Sequence, residues 1–198
     1  MNYRIIFIFS ILFLLTSCQK ERLPENTYTK EYQNITLKKL DNETISLSAA
    51  LNNQPTVLIF YRGDWCPYCN VHLKDMKTIE KELIDLGYQI IAISPDKASE
   101  LAKTHDKLSL SYTLLSDSKM NAAKFFDLAF TVDDKTIEKY TTYGIDLERS
   151  SGEKHHSLPV PSVLVISKDG RVVYKHSDKN YKVRLKSGEI LELAKKHL

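Results

Sequence analysis

The apolar residues of this chain fall into two kinds of pattern that alternate along it. Val57–Tyr61 and Tyr88–Ile93 are mostly apolar runs, which predict strands that are buried on both faces. Between them, Trp65–Leu86 carries apolar side chains at helical spacing, and Gly87 is placed to end that helix. The order strand, helix, strand favours a crossover connection and therefore parallel neighbouring strands.

The same periodicities predict the remaining elements of one domain over residues 34–198. They indicate a hairpin-like opening (35–47), a brief helical turn that Ser48 begins, helices (97–107, 119–126, 136–143 and 187–198), a strand (112–115), a loop (150–157) and a second hairpin (163–166 with 172–174). Asp169-Gly170 supplies the turn of the second hairpin. The predicted fold class is α/β, with a central mixed sheet that helices flank.

The first 17 residues are predicted to be a targeting segment rather than part of the fold. Arg4 precedes an apolar stretch of 11 residues, Ile5–Leu15, whereas a membrane span needs about 20 residues. Leu15-Thr16-Ser17-Cys18 ends this stretch, and it resembles the lipobox of bacterial lipoproteins, in which the signal is removed before a cysteine that becomes acylated. The alternative is an ordinary cleaved signal followed by a chance cysteine.

A lipidated Cys18 implies a membrane-anchored lipoprotein on the extracytoplasmic side. Residues 18–33 are mostly polar or charged and include Pro24, which predicts a flexible tether between the anchor and the domain. Several acyl chains hold a protein firmly at a membrane, whereas a single chain holds it weakly. We therefore expect the domain to be exported and to stay attached to a membrane.

Composition narrows the function classes without selecting one. The chain has 198 residues, of which 42% are hydrophobic and 27% are charged, as in an ordinary globular protein. The formal net charge of +3, and the lack of a basic run with interleaved aromatics, argue against nucleic acid as a partner. Because the sequence has no glycine-rich phosphate loop, we expect no nucleotide cofactor, and we expect no flavin or metal either.

Cys66-Pro67-Tyr68-Cys69 is the motif that carries chemistry. If Cys18 is acylated, Cys66 and Cys69 are the two cysteines left, and they lie where the predicted strand passes into the predicted helix. A helix start presents unpaired N–H groups and about half a positive charge, which favour the reactive thiolate. One helical turn also brings the two sulfurs within reach of a disulfide, so the pair has the layout of a redox site.

Two other roles compete with a redox site. A purely structural disulfide over so small a loop would remove little entropy from the unfolded chain. A zinc site would need four ligands, and His72 with the adjacent pair His155-His156 offers a poor set, because neighbouring histidines rarely bind one metal. In an oxidising compartment we expect Cys66 and Cys69 to be disulfide-bonded unless a reductant acts on them.

Seven short motifs occur in order over about residues 34–198. They are FYRGDWCPYCN, ISPD, LLSD, YGIDL, LPVPSVLVI, KDGRVVY and DKNYKVRLKSGEIL. In this order they resemble the peroxiredoxin-like members of the alkyl hydroperoxide reductase and thiol-specific antioxidant (AhpC/TSA) family. The resemblance implies a thioredoxin-like fold of the peroxiredoxin type. It also implies an oxidoreductase that reduces hydroperoxides through the cysteine pair, with a thioredoxin-like dithiol protein as the reductant.

Two alternatives to this function stay open. One is a thioredoxin-like thiol–disulfide oxidoreductase that acts on exported proteins, because the family contains both kinds of enzyme. Phe60 occupies the place of the buried carboxylate that helps thioredoxins release a mixed disulfide, which counts against a plain reductase. The other alternative is a lipoprotein binding module that keeps the fold without catalysis.

The family patterns align with the cysteine motif in two ways. In the thioredoxin alignment, Cys66 attacks and Cys69 resolves the mixed disulfide. In the peroxiredoxin alignment, Cys69 takes the attacking position and Cys66 stands where that family has a threonine. Arg62 then replaces the proline of the peroxiredoxin pattern. The attacking sulfur is therefore Cys69 or Cys66.

The resemblance also assigns roles around the cysteines. Pro161 matches the proline that faces the cysteine motif, which implies a cis bond before it and backbone groups of Val160 open to a substrate sulfur. Trp65 would form part of the surface beside the attacking sulfur. Arg62 would either stabilise the thiolate or lie on the surface, and Arg184 would either act in catalysis or form an ion pair that secures the last helix.

Overall fold

The structure is a computed structural model, and it describes residues 31–198. The predicted signal peptide 1–17, the predicted lipidation site Cys18 and the predicted tether as far as residue 30 lie outside the described residues. Tyr32, at the end of the predicted tether, is fully buried, and its hydroxyl donates to the Gly170 carbonyl at 3.0 Å. The folded domain therefore begins before residue 34.

The described residues contain a seven-stranded sheet and a separate two-stranded sheet. The strands are β1 (Thr36–Lys38), β2 (Thr44–Ser46), β3 (Thr56–Phe60), β4 (Gln89–Ser94), β5 (Thr113–Ser116), β6 (Ala129–Thr131), β7 (Ser157–Pro159), β8 (Ser162–Ile166) and β9 (Val172–Ser177). The large sheet has the order β2-β1-β5-β4-β3-β8-β9, and β6 pairs with β7. The neighbours β3, β4 and β5 are parallel, and the other pairs are antiparallel. The predicted mixed sheet is confirmed.

Helices cover both faces of the large sheet. These helices are α1 (Leu47–Leu51), α2 (Pro67–Met76), α3 (Glu80–Asp85), α4 (Ala98–Leu108), α5 (Asn121–Phe125) and α8 (Ser187–Lys196). The helices α6 (Asp134–Thr142) and α7 (Leu147–Ser151) instead belong to a separate apolar cluster with Val132 and Leu158. Successive side chains of β3 point to opposite faces. Val57 and Ile59 therefore pack with α2, α3, α4 and α8, whereas Leu58 and Phe60 pack with α1 and α5. Within residues 31–198, no helix has the length and apolar character that crossing a membrane requires.

The predicted helix over Trp65–Leu86 is wrong in one respect, because the structure divides it into α2 and α3. Between them, the amides of residues 77–79 donate to carbonyls three residues back. The Thr78 hydroxyl also donates to the Asp75 carbonyl at 2.7 Å, and such a bond competes with the helical ladder. Gly87 follows α3 with a φ of +84°, which matches its predicted place after the helix.

The shorter elements complete the comparison with the sequence. Ser46, not Ser48, is the N-cap of α1, since its Oγ accepts from the Ala49 amide at 3.1 Å. The predicted loop over 150–157 instead begins inside α7 and ends in β7, because elements of three to five residues are too short for periodicity to reveal. The two predicted hairpins are confirmed as β1–β2 and β8–β9.

Candidate active site

The cysteine motif lies where β3 passes through a short loop into α2. Cys66 is the N-cap of α2, and Pro67 follows it at the first helical position, where its fixed φ suits the helix and its missing amide costs nothing. The Cys66 carbonyl accepts from the amides of Cys69 and Asn70 at 3.0 and 3.1 Å, which closes the first turn. The predicted location at a helix start is confirmed, so the positive end of α2 lies beside Cys66.

Gly63 allows the loop between β3 and α2 to pack closely. Its φ is +147°, and a Cβ there would lie 2.6 Å from Trp65 Nε1 and 2.9 Å from Asp96 Oδ1. The next amide, of Asp64, donates to Asp96 Oδ2 at 2.9 Å. The Asp64 carbonyl accepts from Asn70 Nδ2 at 2.7 Å. Asp96 and Asn70 thus hold the loop from both sides.

Cys66 and Cys69 are free thiols, and both are almost fully buried. Hydrogen bonding from the Cys69 thiol lowers the pKa of Cys66 to about 6, although burial opposes the anion. The Cys69 amide and the guanidinium groups of Arg62 and Arg184 lower that pKa further. Burial, together with the hydrogen bond to Cys66, raises the pKa of Cys69 well above its usual range. At neutral pH Cys69 therefore keeps its proton, and Cys66 carries the negative charge.

Arg62 is buried against aromatic rings rather than paired with a carboxylate. Arg62 is 4% exposed. Its guanidinium carbon lies 4.2, 4.8 and 5.6 Å from the ring centroids of Tyr181, Trp65 and Tyr140. Its Nη2 donates to the Tyr140 hydroxyl, and its Nε has no hydrogen-bond partner among the described residues. A buried cation requires an anion nearby, and the Cys66 thiolate meets that requirement. Burial excludes the predicted alternative of a surface charge.

Arg184 reaches the second sulfur. Its Nη2 lies 3.6 Å from Cys69 Sγ, which is within hydrogen-bond distance for sulfur. Among residues 31–198, neither Arg184 nor Arg62 forms an ion pair with a carboxylate. The alternative in which Arg184 secures the last helix through an ion pair is therefore wrong. Two cations thus act on the cysteine pair, and Arg184 is the one within hydrogen-bond distance of a sulfur.

His72 lies one helical turn after Cys69. Burial, and then the charge of Arg184, lower the pKa of His72 to about 4, so its ring is neutral at physiological pH. The residue is 6% exposed, and its Nε2 has no hydrogen-bond partner among the described residues. His155 and His156 have other contacts, to the Ser118 carbonyl and to Glu148. No group of three or more His, Cys, Asp or Glu side chains in the described region is arranged to hold a metal ion.

Asp96 is a buried carboxylate in the turn that follows β4. Burial raises the pKa of Asp96 to about 7, although hydrogen bonds from the Asp64 amide and Ser94 oppose the rise. The nearby carboxylates of Asp64 and Glu100 add to it. Asp96 belongs to the ISPD motif, but sequence spacing indicates only a turn there. Its contact with the loop that precedes Cys66 depends on the parallel pairing of β3 and β4.

Pro161 and Val160 lie beside the end of β3, since Ser162 pairs with Phe60. No peptide bond of the described residues is cis, so the predicted cis bond before Pro161 is wrong. The Val160 amide donates to the Leu128 carbonyl at 2.7 Å, and the Ser162 hydroxyl donates to the Val160 carbonyl at 2.8 Å. These backbone groups are bonded within the fold, which contradicts the prediction that they are open to a substrate sulfur.

Trp65 packs beside the cysteine motif, as its predicted place in the surface around the sulfurs requires. The residue is partly exposed, and its ring centroid lies 5.3 Å from that of Tyr140. Tyr140 comes from α6, in a part of the sequence that offered no functional motif. The aromatic cover over the cysteines is therefore built from distant segments that only the fold brings together.

Comparisons with known proteins show the family of this chain. The model of the AhpC/TSA family matches residues 29–175. The chain belongs to the AhpC/TSA family. It is 31% identical over 105 residues to a thioredoxin-like protein of Haemophilus influenzae, and the match covers 52% of this chain and 59% of that protein. It is 36% identical over 84 residues to the chloroplastic peroxiredoxin Q of Triticum aestivum, and the match covers 42% of this chain and 38% of that protein.

This AhpC/TSA protein shares its fold with solved peroxiredoxins. Peroxiredoxin Q of Xanthomonas campestris superposes with a TM-score of 0.65 over 85% of this chain and 94% of that chain, at 20% sequence identity. The predicted thioredoxin-like fold of the peroxiredoxin type is confirmed. The two curated relatives above match this chain over less than two thirds of their own length.

Proposed function

We propose that this AhpC/TSA protein is an oxidoreductase, a thiol-dependent peroxidase that reduces hydroperoxides through Cys66 and Cys69. The observation that carries the proposal is a pair of buried cysteines at the start of α2, beside two arginines, Arg62 and Arg184, that have no carboxylate partner among the described residues. A thiolate is the nucleophile that attacks peroxide oxygen. Fixed cations stabilise the thiolate and the negative oxygen that leaves.

Cys66 is the attacking sulfur in the proposed mechanism, because it holds the negative charge at rest. Its thiolate attacks one peroxide oxygen, the O–O bond breaks, and the sulfur keeps that oxygen as a sulfenic acid. The other oxygen leaves as an alkoxide or hydroxide and takes a proton from solvent. The Cys69 thiol then attacks the sulfenic sulfur, its proton leaves with the hydroxyl as water, and a disulfide forms. This assignment differs from the peroxiredoxin alignment, which places the attack on Cys69.

Rapid mixing with hydrogen peroxide tests the peroxidase. Trp65 is the one tryptophan of the chain and lies next to Cys66, so its fluorescence reports the reaction. The reduced protein should react about 100-fold or more faster than free cysteine. Cys69→Ser should keep the first step and trap a sulfenic acid on Cys66, which mass spectrometry detects. Cys66→Ser should react on the order of 10³-fold more slowly than the wild type.

Two outcomes would change this account. A sulfenic acid trapped on Cys69 in Cys66→Ser, with no reaction in Cys69→Ser, would move the attack to Cys69 and leave the peroxidase in place. A reaction no faster than that of free cysteine in the wild type would overturn the peroxidase proposal.

A thiol–disulfide oxidoreductase acting on exported proteins is the second candidate. The feature that favours it is the opposite direction of the two pKa shifts, because the pKa of Cys66 is lowered and that of Cys69 is raised, as an attack by Cys66 in the thioredoxin alignment requires. Reduction of insulin disulfides with a regenerating dithiol tests this activity. Activity in the insulin assay alone would replace the peroxidase, and activity in neither assay would favour a binding module without catalysis.

We also propose that Cys18 is lipidated and that the domain is anchored at the extracytoplasmic face of a membrane. The sequence supports this through Ile5–Leu15 and the motif that ends in Cys18. The wild type should fractionate with membranes, and its N-terminal peptide should carry the mass of acyl chains. Cys18→Ala should lose both properties, whereas a wild-type N-terminus without acyl chains would contradict the proposal.

A further inference from the structure

The surface next to Cys69 exposes apolar side chains that a folded domain normally covers. Tyr68 and Val71 on α2 are 43% and 69% exposed, and Tyr181 and Val183 on the segment before α8 are exposed to a similar degree as Tyr68. The rings of Tyr68 and Tyr181 meet edge to face at 5.8 Å, which joins the two segments. We call these four residues the apolar patch. Contiguous exposed apolar surface of this kind marks an interaction site.

A groove of about 690 Å³ runs beside the apolar patch, and its charged side chains are mainly cationic. The cations that line it are Lys74, Lys182, Arg184 and Lys186, which we call the basic rim. The one acid in its lining, Asp75, is engaged by the Ser187 amide at 3.1 Å. A surface with this charge favours a partner that presents carboxylates around an apolar centre.

The groove is connected to the reactive sulfurs. Arg184 belongs to its lining and also lies 3.6 Å from Cys69 Sγ. His72 belongs to the same wall, nine tenths buried, with its Nε2 unpaired among the described residues. The groove therefore lies beside the disulfide that the proposed reaction forms.

We propose that this groove and the apolar patch are the docking surface for the protein that reduces the Cys66–Cys69 disulfide, and that this partner is a dithiol protein with carboxylates around its reactive cysteine. The inference rests on the proposed function, which leaves a disulfide that an external dithiol must reduce. A protein fits better than a small molecule, because the apolar side chains project outward. Tyrosine-rich apolar centres with charged rims are the usual anatomy of protein interfaces.

The exchange that this docking serves balances in electrons and protons. A thiolate of the partner attacks Cys69 Sγ, the Cys66–Cys69 bond breaks, and Cys66 leaves as a thiolate. The lowered pKa of Cys66 makes it the better leaving group. The second cysteine of the partner then attacks the mixed disulfide and displaces Cys69, which takes a proton. The partner gives two electrons and becomes a disulfide, while the reduced pair returns to one thiolate and one thiol.

Stopped-flow reduction of the oxidised protein tests the docking surface. The disulfide is prepared with diamide, so the test does not depend on the peroxidase reaction. The second-order rate is measured with a reduced thioredoxin whose active-site rim is acidic and, separately, with dithiothreitol, which needs no docking surface. For Val71→Asp and for Lys182→Glu, the ratio of the thioredoxin rate to the dithiothreitol rate should fall about tenfold. The thioredoxin rate should also fall more steeply with salt than the dithiothreitol rate.

Matched controls make the result specific to the groove. Ile84→Asp places the same acid on an exposed apolar position of α3, and Lys119→Glu reverses an exposed cation outside the groove. Both controls should keep the wild-type ratio. A thioredoxin whose rim carboxylates are replaced by lysine should prefer Lys182→Glu to the wild type. Equal ratios in the groove variants and the controls would overturn the docking proposal, even if peroxide still oxidises the pair at the proposed rate.

Discussion

Strands β4 and β5 are parallel neighbours, and each is followed by an aspartate that is almost wholly buried, Asp96 after β4 and Asp117 after β5. Asp117 accepts hydrogen bonds from the amides of Ala122 and Ala123 at 3.1 and 2.8 Å, at the start of α5. Asp96 accepts one backbone amide, that of Asp64. The nearest charges also differ, since Lys124 acts on Asp117, whereas Asp64 and Glu100 act on Asp96.

We call the turns at Asp96 and Asp117 the two corners. The difference between them separates a corner that only holds the fold, at Asp117, from a corner beside the reactive cysteines, at Asp96. Burial raises the pKa of both carboxyls, to about 6 for Asp117 and to about 7 for Asp96, and the smaller rise belongs to the residue with more amide donors. Asp117 uses its charge to hold a helix start, as N-terminal amides favour. Asp96 braces the loop that carries Arg62, a buried cation that has no carboxylate partner among the described residues. Tyr61 Oη, Arg62 Nε and Asn70 Oδ1 are buried polar atoms without a hydrogen-bond partner among the described residues, and they lie between the end of β3 and the first turn of α2, where the cysteines lie. At the end of β5, Ser116 Oγ also lacks a partner.

Asp96→Asn should produce the largest change, and it should appear as a pH dependence of stability. An aspartate with a higher pKa in the fold than in the unfolded chain keeps its proton longer when folded, so stability falls as pH rises from about 4 to about 7. Relative to Asp96→Asn, the wild type should lose about 4 kcal/mol of unfolding free energy across that range. Urea unfolding at several pH values measures it.

The difference between wild type and variant isolates Asp96 from the other titrating groups. His72 has the opposite sign, because its lowered pKa makes the fold gain stability as pH rises from about 4, and its contribution cancels in the difference. Asp133→Asn is a control at an exposed N-cap, where hydrogen bonds from Thr136 lower the pKa and stability is lost toward acid pH. A flat difference between wild type and Asp96→Asn from pH 4 to pH 8 would contradict the prediction.

Asp117→Asn should give a smaller change over a narrower range of pH. The folded pKa of Asp117 is about 6, so the wild type should lose about 3 kcal/mol relative to the variant between about pH 4 and pH 6. The asparagine oxygen can still accept an amide at the start of α5, which keeps the cap. Reactivity of Cys66 toward iodoacetamide should stay at the wild-type value. A change in that reactivity would show that the two corners are coupled and would break the comparison.

The two corners also show which parts of the site the sequence can predict. The position of Cys66, Cys69 and Arg62 between a strand and a helix can be predicted because a strand end, a helix start and a three-residue spacing are all local features. Tyr140 is 78 residues from Arg62, and Arg184 is 115 residues from Cys69, so no spacing rule joins them. The role of Asp96 likewise depends on parallel pairing. The prediction at Pro161 is wrong because the backbone groups of Val160 are bonded to Leu128 and Ser162, and the contact with Leu128 depends on the fold rather than on local sequence.

Arg62→Leu should give the smallest of these effects, and it tests whether the buried guanidinium of Arg62 acts on the Cys66 thiolate. The hydrogen bonds from Cys69 lower the pKa of Cys66 more than the charge of Arg62 does. Loss of the guanidinium should therefore raise that pKa by about one unit and leave Cys66 able to ionise. Alkylation of Cys66 by iodoacetamide at pH 6 should slow about fivefold, and its pH profile should shift upward.

Arg62→Lys should retain most of the wild-type rate, because the charge rather than the fork of donors is what the sulfur requires. Lys124→Met removes a cation from the corner of Asp117 and should leave the profile in place. If Arg62→Leu and Lys124→Met give the same profile, the aromatic cover and not the charge is the reason for the arginine, and the contrast between the two corners concerns packing alone.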